Sequence, residues 1–148
     1  MLRAVIAVIG AYIVMSVAFA LILTVAFFAL GTDRAYQAGT YNISNIWIGV
    51  LAVAGLVAAL IGGFACAKFA KAGSSAPIGL FALVFVAGVA TAIYLGIKAD
   101  PGPRAGDVSV FDAPKLSVQP TWYTWASIPI TLAGVFVGAS LGCKKKAT

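Results

Sequence analysis

Gly138-Ala139-Ser140-Leu141-Gly142 matches the G-x-S-x-G pattern of a serine hydrolase. That pattern works as a strained strand–turn–helix elbow whose serine hands its proton to a histidine. This chain has no histidine, and the five residues close a long apolar run, so no nucleophile is expected there. Cys66 and Cys143 each stand close to lysines, Lys68 and Lys144. A neighbouring ammonium lowers a thiol pKa, and the pair could approach if their two apolar runs are neighbours. Two thiols without further ligands make a poor metal site, and a reducing cytoplasm disfavours a disulfide. Both are read as small packing residues, with a cysteine-based membrane sensor or enzyme as the third functional reading. Asn42-Ile43-Ser44 is formally a glycosylation sequon. It sits just ahead of an apolar run, where access is poor, and Asn42 and Asn45 read better as turn and helix-cap residues.

The rest of the inventory narrows the chemistry further. There is no glutamate, and the four acids are Asp33, Asp100, Asp107 and Asp112. Without imidazole the common proton shuttle, metal ligand and haem ligand are absent. No catalytic residue, cofactor site or metal site is expected, and the chain is read as a non-enzyme. The polar groups inside the apolar runs are mild: Tyr12, Ser16 and Thr24, then Thr91 and Tyr94, then Ser127 and Thr131. An ionisable group deep in a membrane would mark a transport path, and no run carries one near its centre. Small multidrug exporters also have four helices but depend on a membrane glutamate that this chain lacks, and the polar signature of fluoride channels has no counterpart here.

These residues are positioned by elements that can only belong to a bilayer. Of 148 residues, 62% are hydrophobic and 9% charged, with a mean hydropathy of +1.05. Soluble domains run about 45–50% apolar and about 25% charged. A soluble domain, a disordered chain and a nucleic-acid binder are therefore excluded, despite the net charge of +6. Reading from charge to charge gives four spans, about 4–31, 46–67, 78–97 and 122–143. Each reaches the roughly 20 residues a helix needs to cross the hydrocarbon core, and continuous apolar runs argue against barrel strands. The first run also resembles a signal peptide ending at Ala18-Phe19-Ala20, but it continues past the usual apolar length, so it reads as a retained helix. The expectation is an all-α integral-membrane protein: one membrane domain over 1–148, a four-helix antiparallel bundle.

Charge sets the orientation. Arg3, Lys68, Lys71, Lys144, Lys145 and Lys146 fall on one side, and Arg34, Lys98, Arg104 and Lys115 on the other with all four aspartates. Lys68 and Lys71 occupy a short connection and Lys144 to Lys146 follow the last span directly, so the positive-inside rule places both termini in the cytoplasm. The outer loop 98–121 is the one connection long enough for an extramembrane feature, and Val108, Val110 and Phe111 could form a short strand or rest on the bilayer. Trp122, Tyr123 and Trp125 stand where an interfacial aromatic belt belongs, and Lys144, Lys145 and Lys146 where headgroups do.

Helices in lipid associate by close packing, which small residues permit. The second span repeats Ala54, Ala58, Gly62, Cys66 and Ala70 every four residues, beside a second row of Gly55, Ala59, Gly63 and Ala67. The third carries Gly88, Ala92 and Gly96, and the fourth Gly134, Gly138 and Gly142. These are the expected helix-packing residues, within one copy or between copies; Val53 and Leu60 serve as controls if they face lipid. Pro129 should kink the fourth span, with Ser127 and Thr131 near enough to take up freed carbonyls. Ala54–Ala59 also echoes Ala133–Gly138, through duplication of a hairpin or through convergent packing.

The stretch Gly62-Gly63-Phe64-Ala65-Cys66-Ala67-Lys68-Phe69-Ala70 resembles the end of the second span in small four-helix bacterial inner-membrane proteins of uncharacterised function, and Trp122-Tyr123 through Gly142 is similar to their last span. The resemblance implies four helices in a bacterial inner membrane and no activity. The functional expectation is a non-catalytic subunit or scaffold, packing against other membrane proteins or its own copies in the lipid bilayer. The alternative is a small oligomeric channel or transporter lined by the Ser, Thr and Tyr residues.

Overall fold

The computed structural model describes residues 2–70, 75–98, 101–104, 106 and 108–143. Lys71, Asp100, Asp107, Lys144, Lys145 and Lys146 lie outside the described residues, as do the headgroup contacts expected of the last three. Four long helices dominate: α1 (Leu2–Leu30), α3 (Asn45–Phe69), α4 (Ala76–Ile97) and α6 (Thr121–Cys143). Each is long and apolar enough to cross a membrane, which indicates a multi-pass membrane protein. Two single-turn helices, α2 (Thr32–Ala35) and α5 (Ala113–Leu116), lie in the connections. The described residues contain no strand, only isolated bridges.

The tightest packing is between α3 and α6. A methyl group built on Gly63 would overlap the Val135 carbonyl, and one on Gly138 would overlap the Leu60 carbonyl. At Gly134 it would come within 2.7 Å of the Ala59 methyl, and at Gly142 within 2.6 Å of the Ala67 methyl. Backbone meets backbone here, a packing that only small residues allow. Leu56 pairs with Gly134, Leu60 with Gly138 and Phe64 with Gly142; the numbers rise together, so these two neighbours run parallel. Against α1 the numbers run oppositely: Gly62 meets the Met15 side chain, with a methyl there 2.8 Å from its Cβ, and Gly10 meets the Phe69 ring. Phe27 and Trp47 stack edge to face, ring centroids 5.7 Å apart, at the other end. Helix α4 packs on α6 and α1, and α1 and α6 do not touch.

The Leu60 backbone is the surface on which Gly138 rests, and its side chain is half-buried, whereas Val53 is exposed. A helix phase of about 100° per residue decides this, and the phase is fixed only by the partner.

The connections at one end fold into a loop layer over the bundle. Gly31, at a left-handed φ of 73°, ends α1. Segment 36–43 then pairs with the second loop: Ile43 N–H donates to Val118 O at 3.1 Å, Val118 N–H to Tyr41 O at 2.9 Å, and Arg104 N–H to Gly39 O at 3.0 Å. Beneath them Phe27, Tyr36, Ile43, Trp47, Val108 and Tyr123 form one buried cluster. The long loop is thus half of a two-loop layer. Val108 plugs that cluster rather than forming a strand, and Phe111 alone projects, 85% exposed.

Ser44 takes the role expected of Asn45. Its hydroxyl accepts from Trp47 N–H at 3.1 Å, capping α3, and donates to Arg34 O; Asn45 is already the first helical residue. Pro129 lies inside α6. The nearby hydroxyls bond to carbonyls on either side of the one its ring frees, that of Trp125: Ser127 Oγ donates to Thr124 O and Thr131 Oγ1 to Ser127 O, both at 2.8 Å.

Candidate functional site

Helices α1, α3, α4 and α6 leave between them a cleft of about 350 Å³. Its walls are thin where the sequence is small, at Gly55, Ala58, Gly88 and Ala92. A Cβ on Gly55 would have ordinary contact at 3.9 Å from Thr131 Oγ1, so a longer side chain there would grow into the space. Its lining runs over residues 12–19 of α1 and 84–95 of α4, so at 1.5 Å per residue it extends about 10–17 Å along the bundle. Exposed Ser16 and Thr91 lie on its α1 and α4 walls, so it opens to lipid between those two helices.

The lining is apolar with a sparse set of polar groups. The hydroxyls of Ser16, Thr124, Ser127 and Thr131 donate to carbonyls of their own helices, at 2.7–2.9 Å. Bonding of this kind spends the proton and leaves lone pairs facing the cleft. Tyr12, Thr91, Gln119 and Tyr123 line the same space, and their side chains make no hydrogen bond to any described residue. Tyr123 is 5% exposed. Among the described residues no Asp, Lys or Arg lines the cleft.

Five of the mild polar residues singled out in the sequence, Tyr12, Ser16, Thr91, Ser127 and Thr131, therefore converge. Thr24 bonds Ala20 O instead, and Tyr94 is exposed. Gln119 and Thr124 were not singled out in the sequence; Tyr123, Ser127 and Thr131 recur every four residues on one face of α6, and Gln119 continues that spacing just ahead of the helix. Tyr123 is buried under the loop layer, its ring 5.9 Å from that of Trp122. Trp122 and Trp125 are exposed.

The packing residues divide. Ala54, Ala58, Ala59, Gly62, Gly63, Gly134 and Gly138 are buried, and Gly142 rests on Ala67 and Phe64. Gly88 faces Ile128, Ala92 is buried, and Gly96 meets open space. Cys66 is buried, Cys143 exposed, and both are free thiols. Ser140 donates to Val137 O on its own helix, within continuous α6, so the G-x-S-x-G match has no elbow. The described residues hold no cluster of metal-ligating side chains.

The loop layer carries the ionic contacts. Arg104 bonds Asp33 at 3.0 Å and Thr32 O at 3.3 Å, Lys115 pairs with Asp112 at 3.7 Å, and Lys98 donates to the carbonyls of Lys115 and Ser117. Tyr36 donates to Ala113 O at 3.2 Å, tying the first loop to the second. Burial pushes its hydroxyl pKa up to about 12, against the pull of the Arg104 guanidinium and with a push from Tyr41. No family model, curated protein or solved structure matches the chain.

Proposed function

We propose that this protein is a non-catalytic integral-membrane subunit that packs against membrane partners or further copies of itself. The observation that carries this reading is α1. Only Ala7, Ala11 and Phe27 of its 29 residues are buried, while Ile6, Ile9, Ile13, Val17, Leu21 and Phe28 are exposed along its length, at helical spacing on one face. The small faces of α3 and α6 are spent on each other and on Met15 of α1, and α1 is the least buried of the four spans. Purification from native membranes in mild detergent tests this: a partner or a second copy should co-purify and be lost when Val17→Lys disrupts the α1 face. A monomer with no partner would contradict it.

Within this reading the spans run up and down in antiparallel order, and both termini face the cytoplasm of a small four-helix bacterial inner-membrane protein. The second reading, a small channel or transporter, is favoured by one observation, the polar-lined cleft. Solute flux into liposomes by purified protein would promote it.

A further inference from the structure

The cleft has the features of a binding site rather than a packing fault. Tyr123 is more than nine-tenths buried, yet its hydroxyl bonds to no described residue, in a place where it lines an open volume. No buried side-chain polar atom among the described residues lacks a partner, so this hydroxyl is open to the cleft and its proton is available to whatever occupies that space. The donors left unspent are the Tyr12, Thr91 and Tyr123 hydroxyls and the Gln119 amide, while the Ser16, Ser127 and Thr131 protons are already used. A ligand's acceptor can therefore be held only by these four groups, since the spent hydroxyls offer lone pairs alone. No ionised side chain faces the space, and a bare charge in low dielectric is unfavourable, so the ligand is neutral. The mouth between α1 and α4 opens to hydrocarbon, so it arrives from the bilayer. A volume of about 350 Å³ falls in the usual range for small-molecule sites.

We propose that the cleft binds an uncharged, lipid-soluble molecule bearing carbonyl oxygens, held at its polar end by Tyr123 and Gln119 and enclosed by the small residues Gly55, Ala58 and Gly88. A quinone ring and a neutral lipid ester both present that chemistry. The proposal does not rest on the subunit reading.

The test uses the full chain in nanodiscs of one synthetic lipid. A short-chain benzoquinone and a monoacylglycerol are titrated separately, with a fatty acid held anionic as the charged control. Binding is read by isothermal calorimetry and by thermal stabilisation of the protein, which a ligand of the folded state must produce. Saturable binding of either neutral probe is expected, and which of them binds identifies the source of the carbonyl. Tyr123→Phe should weaken it roughly fivefold, the scale of one ordinary hydrogen bond. Gly55→Leu should abolish binding by filling the cleft. The unliganded melting temperature of Gly55→Leu is measured beside that of Tyr123→Phe, which separates loss of the cleft from loss of the fold. Saturation by neither neutral probe, tighter binding of the anion, or wild-type affinity in well-folded Tyr123→Phe and Gly55→Leu would each overturn the proposal.

Discussion

Gly138 and Gly96 belong to similar sequence rows but have opposite surroundings. A side chain at Gly138 meets the Leu60 backbone, which has no room to move, while one at Gly96 meets nothing within 4 Å. Gly138→Leu should therefore cost at least the about 1–3 kcal/mol typical of overpacking, and Gly96→Leu close to none, as read by the thermal melts of the two variants in the same detergent. Residue spacing alone marks both as packing positions; only the partner's position separates them. Tyr123 was obscured for the same reason. An aromatic at the end of a span reads as a belt residue, and its burial depends on Phe27 and Val108, which arrive from distant segments. Tyr36 supplies a pH test. The folded chain keeps its hydroxyl protonated up to about pH 12, whereas the unfolded chain ionises it near the ordinary value of 10.0. Ionisation in the unfolded state alone favours unfolding, so the contribution of Tyr36 is whole below pH 10 and lost between pH 10 and 12. Tyr36→Phe should flatten the loss of stability over that window relative to the wild type, measured by denaturant unfolding at successive pH values.

At the scale of elements, the four spans were legible because composition and run length suffice for them, and their bounds moved by only a few residues. The pairing was less so. The echo between Ala54–Ala59 and Ala133–Gly138 marks two parallel helices that touch at matching levels, Leu56 with Gly134 and Leu60 with Gly138. A parallel pair packed this closely needs small residues at the same heights on both members, which is reason enough for the likeness without duplication. The loop layer was the least legible, since its polar pairings join residues some 70 positions apart, as Asp33 with Arg104 does. Ser44→Ala removes the cap of α3 and should cost about 1 kcal/mol, visible as a lower melting temperature. In the Asp33–Arg104 pair the aspartate side chain is 88% exposed and the arginine 13%. Asp33→Ala should therefore shift stability little, as exposed ion pairs do, whereas Arg104→Ala also loses Thr32 O and side-chain packing and should cost more in the same melts.

At the scale of the molecule, a closed interior lies beside an open flank. Helices α3 and α6 lock together, α4 completes the cleft, and α1 lies along the bundle with most of its surface turned outward. Its orientation is testable with single cysteines in a Cys66→Ala, Cys143→Ala background. A membrane-impermeant thiol reagent should reach Ser109→Cys from outside intact cells and Ser75→Cys only after permeabilisation; the reverse pattern would invert the topology. Composition could never reveal that the small faces are satisfied internally, because a glycine row looks the same whether its partner is in the same chain or another. The most direct measurement of the central claim is cysteine cross-linking along α1 in native membranes, one residue at a time from Ala7 to Leu21. Cross-links to a partner or a second copy are predicted at Ile9, Ile13 and Val17 and not at buried Ala7 and Ala11. An absence of cross-links at every α1 position, or a pattern without helical periodicity, would contradict it.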